Sequence, residues 1–311
     1  MSGISNIKKN MLILSMLFFW GCSGNVGDNN VTDAVGASKK STEQIESDTG
    51  IQKLNFAVVP SSNAMDLQNI MKPLISYLHA QIEMPVILKF ASNYENIVDK
   101  TGIEYDLASM GAYSYVESHK KNNTLPLVKS IRNGKPSYKG IIITHKDSGI
   151  KSLEDLKKRE KIKTVFTDRY STSGFLFPAA DIIKSGADIE KNLSVKFVKG
   201  HDNVVKIISS KGAEIGACYQ GAVEKYLSPD KVKNIVVLQE TDDIPGDPIA
   251  IGKNIIDNKD LKKKLLDAFI NLKNSNILNS LAGGLEGYAP AEDSDYNIMR
   301  EKIDLINKHF K

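Results

Sequence analysis

The chain has 311 residues, room for two domains or one large one. Its 41% hydrophobic and 25% charged residues are ordinary for a water-soluble protein. The net charge of +4, from 41 basic and 37 acidic residues, is too weak and too dispersed for a nucleic-acid-binding surface.

Lys8 and Lys9 precede a short apolar run, Met11 to Trp20, which ends at Gly21-Cys22-Ser23-Gly24. A basic start, a short apolar core and a small residue before the break describe an export signal. The run is too short to span a bilayer as a helix. Its ending resembles a bacterial lipobox, in which Cys22 becomes the acylated first residue, although Phe19 stands where leucine is usual. A plain secretory signal with an incidental cysteine is the alternative. Only Cys22 and Cys218 occur, so acylation of Cys22 leaves no intramolecular disulfide. Residues 1–21 are thus expected to be a lipoprotein signal peptide. Residues 22–52, rich in Gly, Asn, Asp, Ser, Thr and Lys, are expected to be a flexible tether.

From Leu54 the pattern alternates between strand and helix. Leu54 to Val59 reads as a strand, and Ser61 and Ser62 follow its end. Leu67, Ile70, Met71, Leu74, Ile75 and Leu78 then mark one helical face. Pro85 to Phe90 and Tyr105 to Met110 read as strands, with Tyr94 and Gly111 just beyond them. Tyr138 to His145 reads as one further strand, and Ser152 to Leu156 as a capped short helix. The alternation predicts a mostly parallel sheet with a ligand crevice beyond the carboxyl ends of its strands.

The most informative stretch is Val165 to Asp188, VFTDRYSTSGFLFPAADIIKSGAD. A β-branched and aromatic run ends at Asp168, and then Ser171, Thr172, Ser173 and Gly174 open a helical pattern. Hydroxyls, unpaired backbone N–H groups and the positive end of a helix dipole meet there, which suits a phosphate-like anion. The same residues are also ordinary helix caps. Pro178 must sit in the first turn or kink the helix. Further on, Leu193 to Val198, Glu214 to Tyr219 and Asn234 to Leu238 read as strands, and Gly283 to Gly287 as a loop. Amphipathic helices are expected near Lys259 to Leu272 and Asp293 to His309. The five histidines have no metal-ligand spacing, and neither a Walker A loop nor a dinucleotide fingerprint occurs.

These landmarks, taken in order, resemble the phosphate/phosphite/phosphonate-binding proteins of ATP-driven importers. They are Ser92-Asn93-Tyr94-Glu95, Leu107 to Gly111, Tyr138 with Ile141 to Ile143, Asp147 to Ile150, Phe166-Thr167-Asp168, and Ser171 to Gly174 with Pro178. Gly200-His201-Asp202, Gly212 to Ala217, Ile244 to Pro248, Tyr288 to Pro290 and Asp293 to Tyr296 complete the series. The resemblance implies an α/β, two-lobed type II periplasmic-binding fold with a hinge of two crossing strands. Lobe 1 is placed at 53–140 plus 246–311, and lobe 2 at 141–245.

By motif position, Ser171, Thr172 and Ser173 match the hydroxyl cluster for the anionic head. Tyr94, Tyr138 and His201 match contacting cleft residues, and Asp247 matches a carboxylate that can face an amino group. Relatives that prefer aminoalkyl phosphonates carry an acidic residue where this chain reads Cys218-Tyr219-Gln220-Gly221. With no Arg or Lys inside these motifs, neutral donors and the helix dipole are expected to hold the anion. The resemblance implies a non-enzymatic solute-binding lipoprotein that works with a permease and its ATPase, needs no cofactor and is a monomer. It would be exported and held at the cell envelope by Cys22. A ligand sensor that kept the fold and a phosphatase-type enzyme are the rival readings.

Overall fold

The computed structural model describes residues 51–60, 64–281 and 284–309. Cys22, the signal, most of the tether, Ser61 and Ser62 lie outside them. The first lobe begins with β1 (Leu54–Val58), α1 (Ala64–Ile82), β2 (Val86–Phe90), α2 (Tyr94–Lys100), β3 (Leu107–Ser109), α3 (Ala112–Asn122) and β4 (Leu125–Arg132). The chain crosses through β5 (Ser137–Tyr138) into β6 (Gly140–His145), α4 (Phe177–Lys184) following β7 (Ile162–Phe166), α5 (Ile189–Asn192), β8 (Leu193–Phe197) and α6 (His201–Ser209). β9 (Ile215–Tyr219), α7 (Ala222–Tyr226), α8 (Pro229–Val232) and β10 (Ile235–Glu240) complete the second lobe. The return runs through β11 (Ile244–Pro245) to β12 (Pro248–Ile251), α9 (Lys253–Asp257), α10 (Lys259–Ile270), α11 (Ser275–Leu281), β13 (Leu285–Pro290) and α12 (Asn297–His309).

Two sheets result, ordered β13-β4-β12-β3-β1-β2 and β10-β6-β9-β7-β8. Neither is mostly parallel, contrary to the expectation from the sequence. β1 pairs in parallel with β2 and β3, and β7 with β8 and β9. The strands reached through the crossings, β6 and β12, enter antiparallel to their neighbours. Strand alternation fixes which residues are buried but not the direction in which a returning strand enters a sheet. Gly287 belongs to β13 with a register irregularity against β4, so this glycine-rich segment is partly strand rather than loop.

The predicted strand Tyr138 to His145 is broken at Lys139, and that break forms the hinge. β5 pairs with β11, bringing Tyr138 opposite Ile244. The Gly140 N–H donates to Thr241 Oγ1 at 2.9 Å, and the Thr241 N–H returns to the Gly140 carbonyl at 3.0 Å. The two crossings are therefore tied to each other by hydrogen bonds.

The α1 stripe folds as its spacing predicts: Met71, Leu74 and Leu78 are buried against β1, β2, α10 and their neighbours, and Leu67 is buried at the cavity between the lobes. α12 lies against both α3 and α4, so the last helix touches elements of both lobes. Its Lys302, only 4% exposed, donates to Asp242 at 2.8 Å beside the return crossing and sits over the Phe177 ring. Cys218 is buried and free.

Candidate ligand-binding cleft

Between the lobes lies a cavity of about 170 Å³. It falls well below the roughly 300–1,000 Å³ of pockets for drug-sized ligands. All seven residues singled out from the sequence line it: Tyr94, Tyr138, Ser171, Thr172, Ser173, His201 and Asp247. Tyr94 and His201 are the first residues of α2 and α6, Tyr138 ends β5, and Asp247 lies between β11 and β12. Residues distant in sequence thus converge because helix starts and hinge crossings face one gap.

The Ser171–Gly174 turn owes its shape to Pro178. In a regular α-helix the Gly174 carbonyl accepts from the N–H four residues on, but that residue is Pro178, which has none. The carbonyl accepts instead from the Thr167 N–H at 3.1 Å, and Thr172–Leu176 winds as a π-helical turn before α4 begins. Pro178 thus sits inside the first turn of α4. The wider turn leaves the N–H groups of Thr172 and Ser173 at the start of the helical run, where no intrahelical acceptor exists.

The hydroxyls are set up as donors. Ser171 Oγ accepts from the Gly174 N–H at 3.1 Å, and Thr172 Oγ1 accepts from the Tyr113 N–H at 2.9 Å. Because a hydroxyl has one proton and those lone pairs are in use, each proton is free to turn toward a ligand oxygen. The Thr172 bond also joins the lobes, since Tyr113 lies in the first turn of α3. Ser114 Oγ donates to the Tyr170 carbonyl at 3.0 Å in the same seam.

Tyr94, Tyr138 and His201 on the cavity wall are held neutral by burial. Burial pushes the Tyr94 and Tyr138 hydroxyls well above their ordinary pKa, with Asp247 adding to both. These phenols stay protonated and can donate. Burial lowers His201 to about 4, against the opposing pull of Asp202. Its Nδ1 lies 3.3 Å from Thr167 Oγ1, and its ring packs edge-on to Tyr219 at 4.9 Å. At neutral pH the imidazole is therefore uncharged.

That depression carries a stability cost in acid. An unfolded His201 binds a proton below pH 6.5, whereas the folded one resists protonation down to about 4. Its effect is negligible well above pH 6.5, grows as pH falls through that value, and saturates below 4 at about 3 kcal/mol of lost stability. Urea unfolding at pH 7.5 and 4.5 should show His201→Gln losing about 2 kcal/mol less than wild type across that interval. Equal losses in the two proteins would mean that the ring titrates normally.

Arg132 and Lys225 also line the cavity, so two cations stand near the neutral donors expected to hold the anion. Arg132 Nη2 donates to Asp247 Oδ2 at 3.2 Å, and the guanidinium stands 5.7 Å from the Tyr138 ring centre. Lys225 is exposed on α7. Neither lies inside the motifs read from the sequence. Arg132 ends β4, a strand that the pattern LPLVKSIR obscured with a proline and two charges. Lys225 sits in a five-residue helix too short to show a period. Among the described residues no group of His, Cys, Asp and Glu is arranged to hold a metal ion.

The family described as "ABC transporter, phosphonate, periplasmic substrate-binding protein" matches residues 56–296. The chain is 27% identical over 229 residues to the phosphonates-binding periplasmic protein of Escherichia coli (strain K12), covering 70% of this chain and 65% of that relative's length. It is likewise 27% identical over 284 residues to the phosphate-import protein PhnD of Mycolicibacterium smegmatis, covering 82% of this chain and 86% of the relative. Among solved structures, PhnD1 of Prochlorococcus marinus in complex with methylphosphonate superposes with a TM-score of 0.73 at 21% identity, over 83% of this chain and 99% of that one. That last likeness shows a shared fold. The match over residues 56–296 shows more: the chain belongs to the periplasmic substrate-binding proteins of phosphonate ABC transporters.

Proposed function

We propose that the protein is the solute-binding component of an ATP-driven importer and captures a small phosphorus oxyanion, a phosphonate, phosphite or phosphate ester, between its lobes. It performs no chemistry on the ligand and delivers it to a permease and its ATPase. The observation that carries this reading is the Ser171–Ser173 turn, where oriented hydroxyls and free N–H groups face a small cavity lined from both lobes. Tyr94, Tyr138 and His201 complete the shell as neutral donors, and the hinge lets the lobes part for entry and release. The relatives' names, covering phosphonate binding and phosphate import, support the same ligand class. Calorimetric titration with methylphosphonate, phosphite and phosphate tests it. At least one should bind at a single site, and no binding by any of them would contradict the reading.

The protein works at the cell envelope, as a monomer held by an acylated Cys22. The apolar run ending at Gly21-Cys22 and the polar residues after it support this placement. No helix among the described residues is long and apolar enough to cross a membrane. Each buried methylene of an acyl chain contributes about 0.8 kcal/mol, so two or three chains hold the protein firmly. Cys22→Ser should move it from the membrane fraction to the soluble fraction. An unchanged distribution and mass would exclude the anchor.

A further inference from the structure

We propose that Lys302 of the last helix is a latch on the hinge. Held by Asp242 it favours the closed cleft, and passed to Asp181 it lets the lobes part, so it sets ligand affinity without touching the ligand. The inference rests on the solute-capture reading above and adds to it a positioning residue that governs closure.

The segment leading into α12 is fixed to the first lobe. The Tyr115 hydroxyl on α3 donates to Asp293 Oδ1 at 2.6 Å, and Arg300 Nη2 donates to both oxygens of that carboxylate, at 2.7 and 2.9 Å. Lys129 Nζ on β4 donates to Asp295 Oδ1 at 2.5 Å. The fully buried Tyr296 donates from its hydroxyl to the Gly246 carbonyl at 3.1 Å, at the first-lobe end of the return crossing. Several charge-assisted bonds on one short segment make this end firm.

The body of α12 then lies against α4 and against the Thr172–Leu176 turn that carries the anion donors. Here Lys302 Nζ donates to Asp242 Oδ2 at 2.8 Å, at the second-lobe end of the same crossing. One helical segment thus grips the crossing at both ends, Gly246 and Asp242. When the crossing bends to part the lobes, one grip must yield. The Gly246 contact is buried and backed by the bonds around Asp293, whereas the Asp242 side chain is 64% exposed and can exchange its bond for water. Lys302 is the grip that yields.

An ammonium stranded in the interior would make that release costly. Lys302 is spared this by Asp181 on α4, whose Oδ1 lies 4.0 Å from Nζ, beyond hydrogen-bond reach. Asp181 Oδ2 is buried with no hydrogen-bond partner among the described residues, so this carboxylate is an unfilled second seat. With Thr172 and Ser114 bonded across the lobes, the ammonium sits on Asp242.

Calorimetric titration of the wild type, Asp242→Asn and Asp181→Asn with methylphosphonate, phosphite and phosphate tests this. Asp242→Asn should weaken binding by about fivefold or more, and Asp181→Asn should tighten it, because the two carboxylates compete for one ammonium. Every ligand that binds should show the same factor, since a shift in the closed fraction scales all affinities alike. Asp242→Glu should restore wild-type binding. Lys184→Met, which removes the other cation near Asp242, at 3.8 Å, should change little. Asp181→Leu replaces Asp181→Asn if the latter does not fold. Wild-type affinity in Asp242→Asn, an affinity that does not rise in the Asp181 variant, or factors that differ between ligands would overturn the latch while wild-type binding left the solute-capture reading intact. Failure of all three ligands to bind the wild type would overturn both.

Discussion

Replacing Ser173 with aspartate should abolish measurable binding of methylphosphonate while leaving the protein folded. Ser173 is 3% exposed and lines the cavity together with Tyr138. An aspartate there would set a carboxylate beside the bound oxyanion. Two like charges about 4 Å apart repel by about 4 kcal/mol at the effective dielectric of such sites, roughly a thousandfold in affinity. Ser173→Ala removes only a donor. A hydrogen bond to a charged partner is worth about 1.5–3 kcal/mol, so alanine should weaken binding by about ten- to a hundredfold. The order, wild type above alanine above aspartate, is the informative result, because general damage to the lobe would not rank the variants by charge. Circular dichroism should show all three folded. Wild-type affinity in Ser173→Asp would place the anion elsewhere.

The second large effect is expected at Gly174. A Cβ built there would lie 2.2 Å from Thr167 Oγ1, 2.6 Å from Thr167 Cβ and 2.8 Å from Ser171 Oγ. The neighbours cannot easily retreat, since the Thr167 N–H is bonded to the Gly174 carbonyl and Thr167 Oγ1 faces His201. Forcing one methyl into a packed interior costs about 1–3 kcal/mol, and the upper end is expected here because the clash involves a Cβ as well as a side-chain tip. Against a total stability of about 5–15 kcal/mol that is a large fraction. Ligand affinity should fall as well, because the turn carrying Ser171 and Ser173 is displaced. Thr167→Gly in the same chain should restore part of both losses, a coupling measurable by a double-mutant cycle in urea. Strict additivity of the two substitutions would show that the contact is not the cause.

Much of the site was legible in the sequence because its chemistry is local. Three hydroxyl residues and a glycine before a proline-bearing helical pattern carry their own geometry, and Pro178 explains both the displaced Gly174 carbonyl and the π-helical turn. The positions of Tyr94, Tyr138, His201 and Asp247 followed from resemblance rather than from any period. What joins them on one cavity is the hinge, which shows in the sequence only as Lys139-Gly140 between Tyr138 and the β-branched run Ile141 to Thr144. The Arg132–Asp247 pair was not legible. Its members are 115 residues apart, and the strand ending at Arg132 alternates too poorly to announce itself. The mixed strand directions were hidden for a related reason: burial patterns repeat every two residues whichever way a strand runs.

The most direct measurement is a crystal structure of the protein grown with methylphosphonate. The account predicts the phosphorus group between the lobes, with its oxygens about 2.5–3.2 Å from the Ser171 and Thr172 hydroxyls and from backbone N–H groups at the start of the Thr172–Leu176 turn. A methylphosphonate bound away from that turn, with the Ser171–Ser173 donors turned to other partners, would contradict it.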